Sequence, residues 1–223
     1  MPGSIKIDDG SGNYTILTNA GSLGSDKTLT IPNETATLAT TTATNLGGLV
    51  LLATGTASNS SELLFDDFVD LNTYCYYYLT FDKIKPVSDN VEFQFNYRTG
   101  GSSGSNLTGT YNQGGIYYYG TTGTGAIFGN AQNTDHDVID NGIGNANNEA
   151  IMGYGHYFPG DGNTTGNINM LNATVYKREQ QNLLRKMDRT SFLDANTATT
   201  GLRFFCDTGN ISSGTVKIYG VKK

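Results

Sequence analysis

GLRFFCDTGNISSGTVKIYGVKK, residues 201–223, carries the cleanest hairpin-like pattern of the chain. Leu202, Phe204 and Cys206 alternate with Arg203, Phe205 and Asp207, and Val216, Ile218, Tyr219 and Val221 follow on the far side of Thr208-Gly209-Asn210. A period of two in β-branched and aromatic residues marks half-buried strands. Gly and Asn tolerate positive φ and supply the chemistry of a tight turn. The expectation is a terminal hairpin that closes a sheet, with earlier strands pairing against it.

Working outward, the composition agrees with an all-β chain. The 223 residues include 29 Gly, 14 Tyr and only 4 Pro, and Asn, Thr and Ser fill much of the rest, a mixture that favours strands and tight turns over helices. The length suits one β-domain with a small extra module and is ample for a buried core. Charged residues make up 15%, too few for a disordered acidic chain. A net charge of −6 gives no footprint for nucleic acid. Nine of the 14 Lys and Arg lie from Lys177 onward. They read as a solvated strand face, or as a basic face that docks an acidic surface on a neighbouring subunit. Met1-Pro2-Gly3-Ser4 lacks the basic region and apolar core of a signal peptide, and residues 47–53 are too few to span a bilayer. The expectation is a chain made in the cytoplasm with no membrane insertion.

Residues 47–54, GGLVLLAT, are a continuous apolar run and read as a strand buried on both faces. Residues 61–68 suit a short turn of helix capped by Ser61. Tyr74, Tyr76 and Tyr78 alternate with Cys75, Tyr77 and Leu79, and residues 91–98 alternate cleanly and are expected to pair with that strand across the turn-rich link 85–90. Residues 100–167 read as a loop-bearing region with short strands at 116–119, 125–128 and 151–158. Residues 168–177 alternate as a clear strand. Helix competes at 179–188, but no cap flanks the segment and strand or irregular structure is favoured there. Cys75 and Cys206, both in apolar aromatic strands, read as buried thiols, with a bridge between them as the alternative.

Residues 1–46 differ from the rest. Short apolar beats at 5–7, 14–17, 29–31 and 37–39 are separated by Gly, Ser, Asn and Asp. Such beats cannot bury one another within one chain, but three copies around an axis would complete a core, as in stacked fibre shafts. A flexible arm is the alternative. KTLTIPNETATLATT at 27–41 resembles a segment common in the fibre proteins of tailed phages, with Ala36 where a Gly is usual. The YYYLTFDKIKP run at 76–86 and the SGTVKIYGVKK ending resemble strands of small surface domains in the same virions. What the resemblance implies is an N-terminal extended β arm or short shaft (1–46), followed by a jelly-roll-like C-terminal β-sandwich (47–223), in a homotrimer. It implies a structural virion protein without enzymatic activity, a tail fibre or appendage component serving host attachment alongside other virion proteins. The alternative is a capsid decoration (cement) protein that stabilises the head shell.

The residues carry little catalytic chemistry. No GxSxG, phosphate-binding loop or HExxH motif occurs. Residues 135–142, DHDVIDNG, fail the calcium-loop pattern because Ile139 and Asp140 stand where an oxygen ligand and Gly are required. An irregular calcium site at Asp135, Asp137 and Asp140 is the alternative to a solvated acidic loop, and the reading adopted has no metal and no cofactor. The aromatic residues placed among Gly and Asn, above all Tyr118, Tyr154, His156 and Tyr157, are the binding candidates. Tyr offers an apolar face with a polar tip, which suits the faces of a host-surface glycan. The competing reading is that alternate tyrosines pack the sandwich.

The arm generates one prediction. Light scattering of the purified chain is expected to give a trimer, and removal of residues 1–46 is expected to leave β circular dichroism intact while the mass falls. A stable monomer of the full chain contradicts the intertwined arm.

Overall fold

The structure is a computed structural model, and it describes residues 4–8, 14–18, 48–107, 109, 111–120, 123, 125–132, 136–160, 162, 168–178, 184–194 and 197–223. The chain divides into two compact units, Met1–Leu46 and Gly47–Lys223. In the first, β1 (Ser4–Asp8) pairs antiparallel with β2 (Tyr14–Thr18). These strands hold the apolar beats at 5–7 and 14–17, and the beats at 29–31 and 37–39 lie outside the described residues.

The second unit is all β. In chain order its strands are β3 (Leu49–Ser60), β4 (Glu62–Phe65), β5 (Tyr74–Pro86), β6 (Val91–Thr99), β7 (Ser105–Asn106), β8 (Tyr111–Tyr119), β9 (Gly125–Gln132), β10 (His136–Ile143), β11 (Ile151–Phe158), β12 (Ile168–Arg178), β13 (Leu184–Asp194), β14 (Gly201–Cys206) and β15 (Ile211–Lys222). They form two antiparallel sheets. The larger has eight strands in the order β3-β15-β5-β11-β12-β13-β8-β9, and the smaller has the order β10-β6-β14-β4 with β7 beside β6.

Apolar residues from both sheets fill the space between them. Phe81 of β5 meets Phe93 of β6 and Phe204 of β14 edge-on at 6.1 and 5.6 Å, and Phe93 stacks on Phe204 at 5.8 Å. Farther along, Tyr97 of β6 stacks between Tyr111 of β8 and Tyr157 of β11 at 5.7 and 5.8 Å. These tyrosines are fully buried and their hydroxyls are used. Tyr97 donates to the Ser191 carbonyl at 3.0 Å, Tyr111 to the Leu107 carbonyl at 2.8 Å, and Tyr157 shares a hydrogen bond with Thr199. A satisfied hydroxyl lets so large a ring be buried without an unpaired polar atom.

One buried ion pair also crosses the core. Asp137 of β10 meets Arg189 of β13 at 3.0 Å, each side chain almost inaccessible. Gln94 of β6 and Gln113 of β8 donate to the same carboxylate at 3.0 and 3.2 Å. The stretch read as an acidic loop is therefore a strand, and Asp137 is held by an arginine and two amides. Asp135 lies outside the described residues, and among those described no group of three His, Cys, Asp or Glu side chains gathers.

Several expected pairings are corrected. β14 and β15 are not a hairpin. Both edges of β14 are taken by β6 and β4, and both edges of β15 by β3 and β5. The turn between them carries the chain from one sheet to the other, with Gly209 at φ 75°. β5 and β6 are likewise in different sheets. The two crossing links are stitched together, because Val87 N–H donates to the Asn210 carbonyl at 2.8 Å and Glu92 N–H to the Asp207 carboxylate at 2.8 Å. Residues 61–68 hold a strand, β4, rather than a helical turn, since the Leu63 and Phe65 side chains complete the core under β14. β3 is an edge strand whose Leu49 and Leu51 are half exposed, so the run at 47–54 is not buried on both faces. In the region 100–167, β11 has the expected bounds, β10 is an additional strand, and β8 and β9 are longer than expected because glycines such as Gly114 and Gly115 sit inside the ladder. Segment 184–188 is strand, and residues 179–183 lie outside the described residues. Cys206 is buried but Cys75 is exposed, and both are free thiols.

The buried charges and thiol of this core can be tested in solution. Asp137→Ala is expected to cost about 3–5 kcal/mol in chemical denaturation by removing the buried carboxylate that balances the Arg189 charge, and Asp137→Leu combined with Arg189→Met to cost much less. Burial, with a smaller contribution from Asp207, pushes the Cys206 thiol from 9.0 to about 12. Burial likewise raises Tyr97 and Tyr157 above the ordinary value of 10.0. The neutral forms are the ones the fold holds, so stability is complete below about pH 9 and falls as pH rises beyond it, while the unfolded groups ionise. A native thiol titration near pH 8 is expected to modify Cys75 alone, with Cys206 reacting only in denaturant.

Candidate ligand-binding face

Successive side chains of a strand point to opposite faces of its sheet. In β5, Tyr77 and Leu79 face the core, so Tyr76 and Tyr78 face outward. In β11, Ile151, Gly155 and Tyr157 face inward, so Met152, Tyr154, His156 and Phe158 face outward. β15 turns Tyr219 and Val221 the same way, and the register places Leu51 opposite Tyr219 and Leu49 opposite Val221. The cross-strand pairs Tyr219 with Tyr78 and Tyr78 with His156 then continue to Asn172 and Thr190. One row of side chains thus runs across the outer face of the large sheet.

The rings in these rows touch. Tyr78 stacks on Tyr154 at 6.1 Å and lies 5.5 Å from His156 and 6.2 Å from Tyr219. Tyr76 stacks on Phe158 at 5.4 Å and lies 5.7 Å from His156. Tyr154 meets His156 edge-on at 6.1 Å. Tyr154 is 40% exposed and Phe158 37%, so the rings pack against one another yet stay partly open to solvent. Burial against the sheet and the neighbouring Tyr154 and Tyr219 raise the Tyr78 hydroxyl above its ordinary 10.0, which keeps it a neutral donor at physiological pH. Thr80, Asn172, Thr174 and Thr190 border the rings on the same face. Beyond them, Lys186 pairs with Asp188 at 2.6 Å, and Thr174 donates to the same carboxylate group at 2.7 Å.

The four candidates read from the sequence separate here. Tyr154 and His156 belong to the aromatic field. Tyr118, 45% exposed, faces the same side on β8, but β12 and β13 stand between it and β11, and Lys186 lies 5.6 Å from its ring. Tyr157 is a correction: it is 0% exposed, stacked on Tyr97 in the core. All four lie on strands rather than on loops. Tyr76, Tyr78, Phe158 and Tyr219 are additions to the expected set, although the alternation at 74–79 carries the signal for the first two.

The basic residues after Lys177 do not form one face. Arg189 is in the core, Arg185 lies 4.4 Å from the Tyr119 ring, and Arg203 pairs with Glu62 at 2.5 Å and stacks 4.0 Å over Phe205 on the small sheet. Among the described residues no helix is long and apolar enough to cross a membrane.

The chain matches no protein-family model, no curated protein and no solved structure. Chemically, flat fields of tyrosine with polar borders bind partners that present alternating apolar faces and hydroxyls, with little entropy lost on contact.

Proposed function

We propose that this chain is a non-enzymatic surface protein of a tailed-phage particle, a tail fibre or appendage component that contacts the host. In this reading the outer face of the eight-stranded sheet is its adhesive surface. The observation that carries it is the continuous outward-facing field of Tyr76, Tyr78, Tyr154, His156, Phe158 and Tyr219, in which Tyr154 and Phe158 are exposed and the other four half-buried. A contiguous apolar patch left uncovered by the rest of its own domain marks an interaction site. The sequence resemblance to virion fibre segments and end strands supports the same reading, as does the short arm, through which three copies would assemble. The ligand class is a cell-surface glycan, whose C–H faces stack on tyrosine rings while its hydroxyls reach Asn172, the threonines and the tyrosine hydroxyls.

The capsid decoration reading rests on a different property of the same face. Leu49, Leu51 and Val221 extend the rings into an apolar margin on β3 and β15 that would suit a protein shell. A cement protein would bury this margin permanently, whereas an adhesive one keeps it open until the particle meets a cell.

The test is binding of the purified protein to immobilised bacterial lipopolysaccharide and capsular polysaccharide preparations. Tyr154→Ala and Tyr78→Ala are each expected to weaken the response by about 1–2 kcal/mol, roughly 5- to 30-fold, with the melting temperature nearly unchanged. Tyr157→Ala is expected to cost about 3–5 kcal/mol of stability instead. Parent protein that binds no preparation, or surface variants that bind as the parent does, would overturn the adhesive reading.

A further inference from the structure

A pocket of about 350 Å³ opens at one end of the same sheet, lined by Lys83, Asn147, Asn148, Ala150, Met152, Tyr176 and Leu184. The register explains its position. Met152 and Tyr176 are direct cross-strand partners on the outer face, Leu184 begins the next strand, and Lys83 precedes Ile84, the partner of Ile151. The floor is therefore apolar and partly aromatic, and the polar groups come from a loop and a bulge at the rim.

Both rim elements are built in place. Glu149, buried with only 6% exposed, accepts the Ala146 N–H at 2.9 Å, and its own N–H reaches the Ala146 carbonyl at 3.1 Å. This clamp presents Asn147 and Asn148 at the loop tip. A Cβ on Gly144 would lie 1.9 Å from the Glu149 carboxylate, so the clamp excludes larger residues there. Asn145 ties the loop to the Val87 carbonyl at 2.8 Å. Lys83 sits in a β-bulge, two residues of β5 facing one on β11 and one on β15, with φ 51°. The opposing residue on β15 is Gly214 at φ 120°, where a Cβ would lie 2.6 Å from the Ile84 Cα. Left-handed backbone at a lysine is uncommon and costs strain, and bulges re-aim side chains. Among the described residues, Lys83 supplies the single cation of the lining, and no carboxylate lines the pocket.

We propose that this pocket is a subsite for an acidic sugar unit, a hexuronate. Lys83 meets the carboxylate, Asn147 and Asn148 bond the ring hydroxyls, and Met152 and Tyr176 lie against the ring. The proposal rests on the glycan reading above and adds to it a charged specificity pocket beside the aromatic field.

The experiment is saturation-transfer NMR and calorimetric titration of the full chain with methyl glucuronide, methyl glucoside and acetate. The glucuronide is expected to bind at least about tenfold more tightly than the glucoside or acetate, with the preference shrinking at high salt. Lys83→Asn, which tolerates the left-handed backbone, is expected to abolish the preference, and Lys83→Gly to do the same while raising the melting temperature by relieving strain. Leu64→Ala, an exposed position on the small sheet away from both the aromatic field and the pocket, is expected to leave the preference intact. Equal binding of glucuronide and glucoside, or an undiminished preference in both folded Lys83 variants, overturns the subsite. Acetate binding as tightly as glucuronide reduces it to a general anion site and likewise overturns the sugar assignment. If polysaccharide binding responds to Tyr154→Ala while glucuronide is not recognised, the adhesive face stands and the subsite falls. If the parent binds neither, both fall.

Discussion

Everything on the working face depends on one constraint at the centre of the sandwich. Tyr77 and Tyr157 must face inward, because with Phe68, Tyr97 and Tyr111 they fill the space between the two sheets. A strand offers only two directions, so committing Tyr77 and Tyr157 to the core turns Tyr76, Tyr78, Tyr154, His156 and Phe158 outward. A slip of one residue in β5 or β11 would bury the face and expose the core, and that penalty fixes the register. The same rule makes the inner tyrosines structural, since the hydroxyls of Tyr97, Tyr111 and Tyr157 are spent on carbonyls and on Thr199.

Most of the strands are legible from alternation alone, and their pairing is not. β5, β6, β12, β14 and β15 lie close to where period-two patterns place them. Alternation reports which residues share a face, but it carries no information on which sheet receives the strand. The turn at 207–210 has the chemistry of a hairpin and still crosses between sheets, because β14 and β15 are both central strands with no free edge for each other. The run at 47–54 misleads for a similar reason. A continuous apolar stretch suits a doubly buried strand, but β3 lies at a sheet edge, and Leu49 and Leu51 join the outer aromatic field while Leu52 packs against the core. β4 is hidden by the capping signal of Ser61, a local preference outweighed by Leu63 and Phe65 entering the core.

The site is legible in residue type and only partly in position. Tyr154 and His156 stand out by their aromatic character among glycines, and both belong to the outer field. Tyr157 has the same local surroundings and the opposite role, and what separates them is parity along β11. Parity cannot be assigned while the glycine-rich 151–158 segment is read beside loops. The bulge at Lys83 is invisible in sequence, since nothing in DKIKP marks a left-handed residue. Likewise, Asp137 looks like a solvated or calcium-binding carboxylate because its partner, Arg189, is 52 residues away.

One parity of tyrosines along β5 and β11 packs the core, and in the proposed function the other meets the ligand. Hydroxyl-radical footprinting of the protein, free and bound to a polysaccharide it recognises, tests this most directly. Strong modification of Tyr154, Phe158 and Tyr176 is expected in the free protein, with loss of that modification on binding and with Tyr77, Tyr97, Tyr111 and Tyr157 unmodified in both states. Labelling of Tyr157 in the folded protein, or unchanged labelling of Tyr154 and Phe158 when ligand is bound, would contradict it.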